Sequence, residues 1–341
     1  MIALKYFGDG QRKLVQTSIP ELSHDNEVLV KVEFAAICGS DLKLTSKLQV
    51  GNTMGHEVVG TIERLGSRCS QFNIGDRVVL NPHSFCGDCH FCNQNMRHFC
   101  RNKSVLGFHV DGGMANYIVI KEAACILISS GLPFEYAVLV QPTACALHSI
   151  SQAQPLCDSY QVLIIGAGFF GLMAAICLSE YKSLKIFIIE KSPLRRQHIK
   201  TLLIPNVIVV ESINLLKENK LDIHHRFDRV IDYTGDEELL QIGFDLLENQ
   251  GKMVIFGIMK ASCNVEFRQA DILNKQLTIV GSIGCAKTMH ASLQKVEELH
   301  RSKILNLSLL KINIYPIIDY EKALDAFRRH EYIKIIFSLN K

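Results

Sequence analysis

No apolar run in this 341-residue chain approaches the roughly 20 residues that cross a bilayer, so no membrane span is expected. Met1 to Gly10 lacks a basic-then-apolar leader, and the expected location is the cytoplasm. Net charge is also scarce: 37 Lys and Arg stand against 34 Asp and Glu, a formal +3 with no dense basic tract. Nothing in that balance calls for a nucleic-acid partner. Internal repeats and low-complexity tracts are lacking too. What remains is an ordinary composition, 48% hydrophobic and 21% charged, long enough for a sizeable core and two domains. Twelve cysteines would suggest disulfides in a small secreted domain, but here four crowd between Cys86 and Cys100 and the others are scattered. Metal binding and core packing account for them better.

The chain is organised around Val162-Leu163-Ile164-Ile165-Gly166-Ala167-Gly168-Phe169-Phe170-Gly171. Four apolar residues read as a buried strand. Three glycines at G-x-G-x-x-G spacing then let the backbone turn and approach a pyrophosphate at a helix N-terminus, which makes Gly166, Gly168, Phe169, Phe170 and Gly171 candidate cofactor contacts. Alone the glycine pattern is weak. Its context strengthens it: Ile186-Phe187-Ile188-Ile189 ends in Glu190, nineteen residues past Gly171, where a dinucleotide fold places the carboxylate that meets the ribose hydroxyls.

Upstream, Glu27 to Phe34, Val58 to Leu65, Arg77 to Leu80 and Ala115 to Ile120 read as short strands between turn residues, a β-rich domain. Phe134 to Ile150 reads as a helix. Beyond the glycine turn, helix and strand alternate: a helix to about Tyr181, strand Lys185 to Glu190, a helix from Pro193, strand Val207 to Val210 and a helix to about Leu221. Strand Arg229 to Tyr233, helix Glu237 to Leu247, a C-cap at Gly251, and strands Lys252 to Phe256 and Leu277 to Ser282 follow. Six strands suit a doubly wound parallel sheet. A helix from Tyr320 to Arg329 and a strand from Ile333 to Leu339 close the chain.

Two constellations could hold metal. Cys86-x-x-Cys89-x-x-Cys92 with Cys100 offers four thiolates for a closed tetrahedral zinc site, which would fix a loop and leave no position open for chemistry. Cys38, with Ser40 and Asp41 beside it, and the pair His56-Glu57 offer one thiolate, one imidazole and one carboxylate, with a fourth position open. From the residues alone, a buried cysteine and a surface His-Glu pair explain this second set as readily.

At these residues the chain resembles the zinc-dependent medium-chain alcohol dehydrogenases, within them the sorbitol, L-idonate and threonine dehydrogenase branch. The resemblance runs nearly end to end. It is carried by Cys38-Gly-Ser-Asp41, Gly55-His-Glu57, Gly75-Asp-Arg-Val78, Asn81-Pro82, the four-cysteine loop, Asp111-Gly-Gly-Met-Ala115, Pro142 with Ala146-Leu-His148, and the glycine turn. It implies an α/β architecture: a GroES-like β-barrel catalytic domain, residues 1–145 and 285–341, around a Rossmann dinucleotide-binding domain with a doubly wound parallel sheet, residues 146–284. It further implies that Cys38, His56 and Glu57 neighbour a catalytic zinc, that Ser40 relays the substrate proton, and that Asp41 supports the site. Two zinc ions per chain, one catalytic and one structural, and NAD follow from it, as does a homodimer or homotetramer.

Three departures bear on the substrate. The branch usually has Glu-Pro where this chain has Gln141-Pro142, so the carboxylate near zinc becomes an amide, and Gln141 is an open question as a ligand. An aromatic hydroxyl and an arginine of the polyol members are replaced by Leu44 and Gly284, and the Cys38 to His56 segment is shorter. The reaction class carries over and a particular polyol does not: a zinc-dependent oxidoreductase acting on a small secondary alcohol or ketone, such as a polyol, a sugar acid or a related alcohol. Arg195, with Lys191 and Arg196 after Glu190, gives NADP as second choice, although the Glu190 charge would repel a 2′-phosphate. The alternatives are an NADPH-dependent reductase of the same fold and a zinc- and nucleotide-binding regulatory protein with little turnover. Phe108 and His109 are candidate pocket residues, and His148 suits helix packing better than a metal.

Overall fold

Strand Gln161–Ile165 is buried at all five positions. That is what a central strand covered on both faces requires, and it explains why its sequence is an apolar run with no polar alternation. In the computed structural model, which describes residues 1–43, 45–210, 227–258, 264–285 and 287–340, this strand sits in the middle of a six-stranded sheet. The strand order is Val207–Val210, Lys185–Ile189, Gln161–Ile165, Phe227–Asp232, Leu247–Ile255, Thr278–Gly281. Every pairing is parallel. Val162 and Ile164 enter one apolar cluster and Leu163 and Ile165 another, so the sheet has a core on each face. The chain order runs outward from the centre in one direction and then the other, which puts a switch point beside Gln161–Ile165. This is the doubly wound Rossmann arrangement.

The chain divides into two units, Met1–Ala144 with Ala286–Lys341, and Cys145–Cys285. The first contains a seven-stranded sheet in which Glu27–Ala36 pairs antiparallel with Glu57–Leu65, with Tyr117–Lys121 and with Lys334–Ser338. Arg77–Leu80 and Cys125–Leu127 extend it on one side, and Ile312–Pro316 on the other. Val28, Val30, Val32, Val58, Ile62, Val78, Leu80, Ile335 and Phe337 share its core. The C-terminal strand therefore completes the sheet that the N-terminal third begins. This is the GroES-like domain.

Several boundaries differ from the sequence reading. The helix expected from Phe134 to Ile150 is two helices, Phe134–Ala137 and Val140–Gln152. Gly251 is no C-cap: helix Glu237–Asp245 ends on Leu246, and Gly251 lies inside strand Leu247–Ile255. Gln250 takes the left-handed conformation there, φ 57°. The helix expected to reach Leu221 lies outside the described residues, as does Leu44. Among the described residues, no helix is long and apolar enough to cross a membrane.

Candidate active site

Cys38 follows the central strand Glu27–Ala36, and Glu57 opens the strand paired with it, with Ala36 opposite Glu57 in register. That register brings together residues nearly twenty positions apart in sequence. The ligand atoms of Cys38, His56 and Glu57 lie within 4.8 Å of one another, and all three residues are buried. Gly55, at φ +96°, permits the turn before His56, and a side chain there would meet the backbone nitrogen of Met114 at 3.0 Å.

Asp41 organises this group. Its Oδ2 accepts the Cys38 N–H at 2.9 Å, and its Oδ1 stands 3.2 Å from His56 Nδ1. With Nδ1 facing a carboxylate, Nε2 is the nitrogen left that could meet a metal. Burial disfavours the imidazolium, yet the Asp41 charge, with Cys38 adding to it, outweighs burial and holds the His56 pKa well above its ordinary value. The Arg12 guanidinium donates to the Asp41 carbonyl at 3.0 Å. Ser40 opens the short helix Ser40–Lys43 and is partly exposed. The Phe108 ring packs 5.4 Å from His56, whereas His109 turns away and accepts the Val105 N–H at 3.1 Å.

One residue was missed in sequence. Lys334 Nζ donates to Glu57 Oε1 at 2.6 Å, and both side chains are buried. Oε2 lies 2.5 Å from the same nitrogen, so both carboxylate oxygens face the ammonium. Burial raises the Glu57 carboxyl pKa, and Lys334 offsets part of that rise. A lone lysine inside Ile333-Lys-Ile-Ile-Phe, a strand buried at every position, was the signal available in the sequence.

The donor set of thiolate, imidazole and carboxylate suits a zinc with one open position. Gln141 is buried near the start of helix Val140–Gln152. His148 meets the Gly284 carbonyl at 3.1 Å with Nδ1 and Gln152 at 3.2 Å with Nε2, as a helix-packing histidine does.

The sulfurs of Cys86, Cys89, Cys92 and Cys100 lie within 4.8 Å of one another. Cys86 Sγ is 3.4 Å from Cys100 Sγ and 3.9 Å from Cys92 Sγ. Those spacings bracket the edge of about 3.8 Å of a tetrahedron with Zn–S bonds of about 2.3 Å. Backbone N–H groups of Arg101 and Cys92 lower the Cys89 thiol to about 6, so it ionises readily.

In the other unit, Gly166 turns at φ +95°, and a Cβ on Gly171 would collide with the Gly166 carbonyl. Gly168 precedes helix Phe169–Leu178. Phe169 is buried and the Phe170 ring lies 5.0 Å from that of Phe256, tilted by 58°. Glu190 follows strand Lys185–Ile189; its oxygens accept the N–H groups of Ala167 and Ser192, each at 2.8 Å. Arg195 Nη1 is 3.8 Å from Glu190. The carboxylate thus ties the second strand to the glycine turn. Sequence reasoning also passed over Asp232, a buried carboxylate that accepts from Thr234 and Gly235.

Residues 24–130 match the alcohol dehydrogenase GroES-like domain, and residues 170–298 match the zinc-binding dehydrogenase domain. This chain belongs to the zinc-dependent medium-chain alcohol dehydrogenases. Among its relatives in that family, D-arabinitol dehydrogenase 1 of Uromyces fabae is 28% identical, with 100% of this chain and 97% of the relative covered. The L-threonine 3-dehydrogenase of Caldanaerobacter subterraneus is 27% identical over 95% of this chain and 94% of its own. Among solved structures, the alcohol dehydrogenase TADH of Thermus sp. ATN1 superposes with a TM-score of 0.87 at 25% identity, both chains fully covered. An E. coli CFT073 alcohol dehydrogenase complexed with NADH has the same fold, with a TM-score of 0.89 at 24% identity and 99% of each chain covered.

Proposed function

We propose that this medium-chain dehydrogenase uses zinc and NAD(H) to interconvert a secondary alcohol and its ketone, the substrate being a polyol, a sugar acid or a related small alcohol. The observation that carries the reading is the convergence of Cys38, His56 and Glu57 in a chain that also holds a glycine turn with a carboxylate on the next strand. The relatives named for D-arabinitol and L-threonine support the class, since both compounds carry secondary hydroxyls.

Cys38, His56 through Nε2, and Glu57 would hold the catalytic zinc, with Gln141 as a neutral neighbour. Zinc supplies Lewis acidity and the nicotinamide supplies the hydride acceptor. The carbon loses a hydride and the hydroxyl a proton, giving ketone, NADH and H⁺. Asp41 fixes the imidazole and its tautomer. Ser40 passes the proton outward, a task that needs no unusual pKa. Lys334 balances the Glu57 charge. In this reading residues 1–145 and 285–341 form the catalytic domain and 146–284 the NAD domain. Gly166, Gly168, Phe169, Phe170 and Gly171 cradle the pyrophosphate, while Glu190 and Arg195 meet the adenosine ribose and the Glu190 charge favours NAD over NADP. A second zinc at Cys86, Cys89, Cys92 and Cys100 is structural. The protein works in the cytoplasm as a homodimer or homotetramer.

Turnover of NAD⁺ with a panel of secondary alcohols and polyols, measured beside metal content, tests the reading. NADH formation by a protein holding two zincs is expected. One tightly held zinc and no turnover on the whole panel would favour a regulatory role instead.

A further inference from the structure

The four-cysteine loop is joined to the catalytic cluster by a short stem. His83–Ser84 pairs antiparallel with Ser104–Val105, His83 opposite Val105, and the Leu106 N–H donates to the Pro82 carbonyl at 3.0 Å. Cys86 begins two residues beyond one strand of this stem, and Cys100 ends four residues before the other. The loop between them has few buried side chains of its own, so sulfur ligation is what can hold it.

Beyond the stem, the same chain presses on His56. The Phe108 N–H bonds to the Val105 carbonyl at 3.2 Å, and the Phe108 ring lies 5.4 Å from the imidazole. Gly107 runs so close to Gly55 that a Cβ would stand 2.7 Å from the Gly55 nitrogen. The Gly55 carbonyl accepts the Gly113 N–H at 3.0 Å, and the Met54 carbonyl accepts the Met114 N–H at 2.8 Å. Thr53 is tied at 2.6 Å to Asp111. His56 thus meets both Asp41 and a segment whose far end is the four-cysteine loop.

We infer that metal at the four cysteines sets the geometry of the catalytic metal site through this stem, with Phe108 as the positioning residue that transmits it to His56. The inference rests on the two-zinc reading. Loss of the loop metal frees the loop, the stem frays, and the imidazole loses the wall that orients it. Groups that orient a ligating histidine without touching the metal are worth about 10–100-fold in metal affinity.

The experiment measures catalytic-site zinc affinity by chelator competition, and the visible spectrum of cobalt substituted there, in wild type, Cys100→Ser, Phe108→Ala and Phe108→Tyr. Cys100→Ser, having lost its loop metal, should bind the catalytic metal at least about tenfold more weakly with an altered cobalt spectrum. Phe108→Ala, with its loop metal retained, should show the same two changes, and Phe108→Tyr should restore both. Unchanged affinity and spectrum in Phe108→Ala overturn the inference, as does an unchanged catalytic site in folded Cys100→Ser. If Cys100→Ser does not fold, the two Phe108 variants decide. A wild-type protein that takes no metal at Cys38, His56 and Glu57 defeats the two-zinc reading itself, a result distinct from two occupied but independent sites.

Discussion

Lys334 and Glu57 form a buried ion pair at 2.6 Å across 277 positions of sequence, joining strand Lys334–Ser338 to the cluster of Cys38, His56 and Glu57. Neither charge has water to turn to. Removing one partner of a buried pair leaves the other uncompensated and costs about 3–5 kcal/mol. A metal ion bound at Glu57 would supply the missing positive charge. Lys334→Met should therefore destabilise the metal-free protein by about that amount and regain part of it with zinc. Melting curves with and without zinc check this: the zinc-induced rise in Tm should be larger in the variant than in wild type.

The same lysine enters the charge count of the cluster. A count of zinc, Cys38 thiolate and Glu57 carboxylate misses the positive charge that Lys334 adds. The Asp41 carboxylate beside His56 offsets that charge, so the total is the same as in the count of zinc and ligands alone. Gln141→Glu adds a carboxylate, so it should hold zinc more tightly and move the acidic limb of alcohol oxidation to higher pH. Zinc affinities and pH profiles of the two proteins measure both shifts. Identical curves would mean that residue 141 lies away from the zinc.

Glu190 performs a structural task besides any contact with cofactor, because its oxygens hold Ala167 and Ser192 N–H groups. Glu190→Ala should shift the NAD to NADP ratio of kcat/KM toward NADP by roughly tenfold, worth about 1.4 kcal/mol of lost repulsion, and raise KM for both cofactors as the turn loosens. Glu190→Gln keeps an acceptor and should relax the choice with less effect on KM. An unchanged ratio in both would place the residue away from the adenosine ribose.

The fold was legible where physics leaves a local mark. Central strands buried on both faces read as apolar runs, as Arg229 to Tyr233 does, and Lys185 to Glu190 and the edge strand Val207 to Val210 also fall within a few residues of the observed strands. Ser192 and Pro193 mark a helix start, and the Ser192 side chain accepts the Arg195 N–H there. The grouping of Cys38 with His56 and Glu57 depends on strand register, which only the family motifs made visible. Lys334 escaped because its partner comes from tertiary packing. Gly251 misled because Gln250, not the glycine, takes the left-handed turn.

Asp236 gives a pH-dependent stability test away from both candidate metal clusters. It caps helix Glu237–Asp245 by accepting the Leu239 N–H at 3.1 Å and pairs with Lys191 at 2.7 Å. Burial raises its carboxyl, but the Lys191 and Leu239 bonds outweigh that, so the folded pKa lies below the ordinary aspartate value. A depressed pKa contributes stability that is present above the unfolded value, about 3.9, and lost as pH falls through the folded one. Asp236→Ala should cost about 1 kcal/mol near neutral pH, and the gap from wild type should close in acid below about pH 4. Denaturant titrations at the two pH values read this out. A gap that persists in acid would mean the cap acts by packing and not by charge.

The most direct test of the account is stepwise chelation with metal content, NAD⁺ turnover and circular dichroism followed on the same sample. The site of Cys38, His56 and Glu57 has one thiolate and an open position, so its zinc should leave before the zinc closed in by four sulfurs. Activity should fall in proportion to the first zinc lost and return when zinc is restored, while the second zinc and the circular dichroism stay unchanged. Turnover that survives removal of the first zinc would contradict the assignment of catalysis to Cys38, His56 and Glu57.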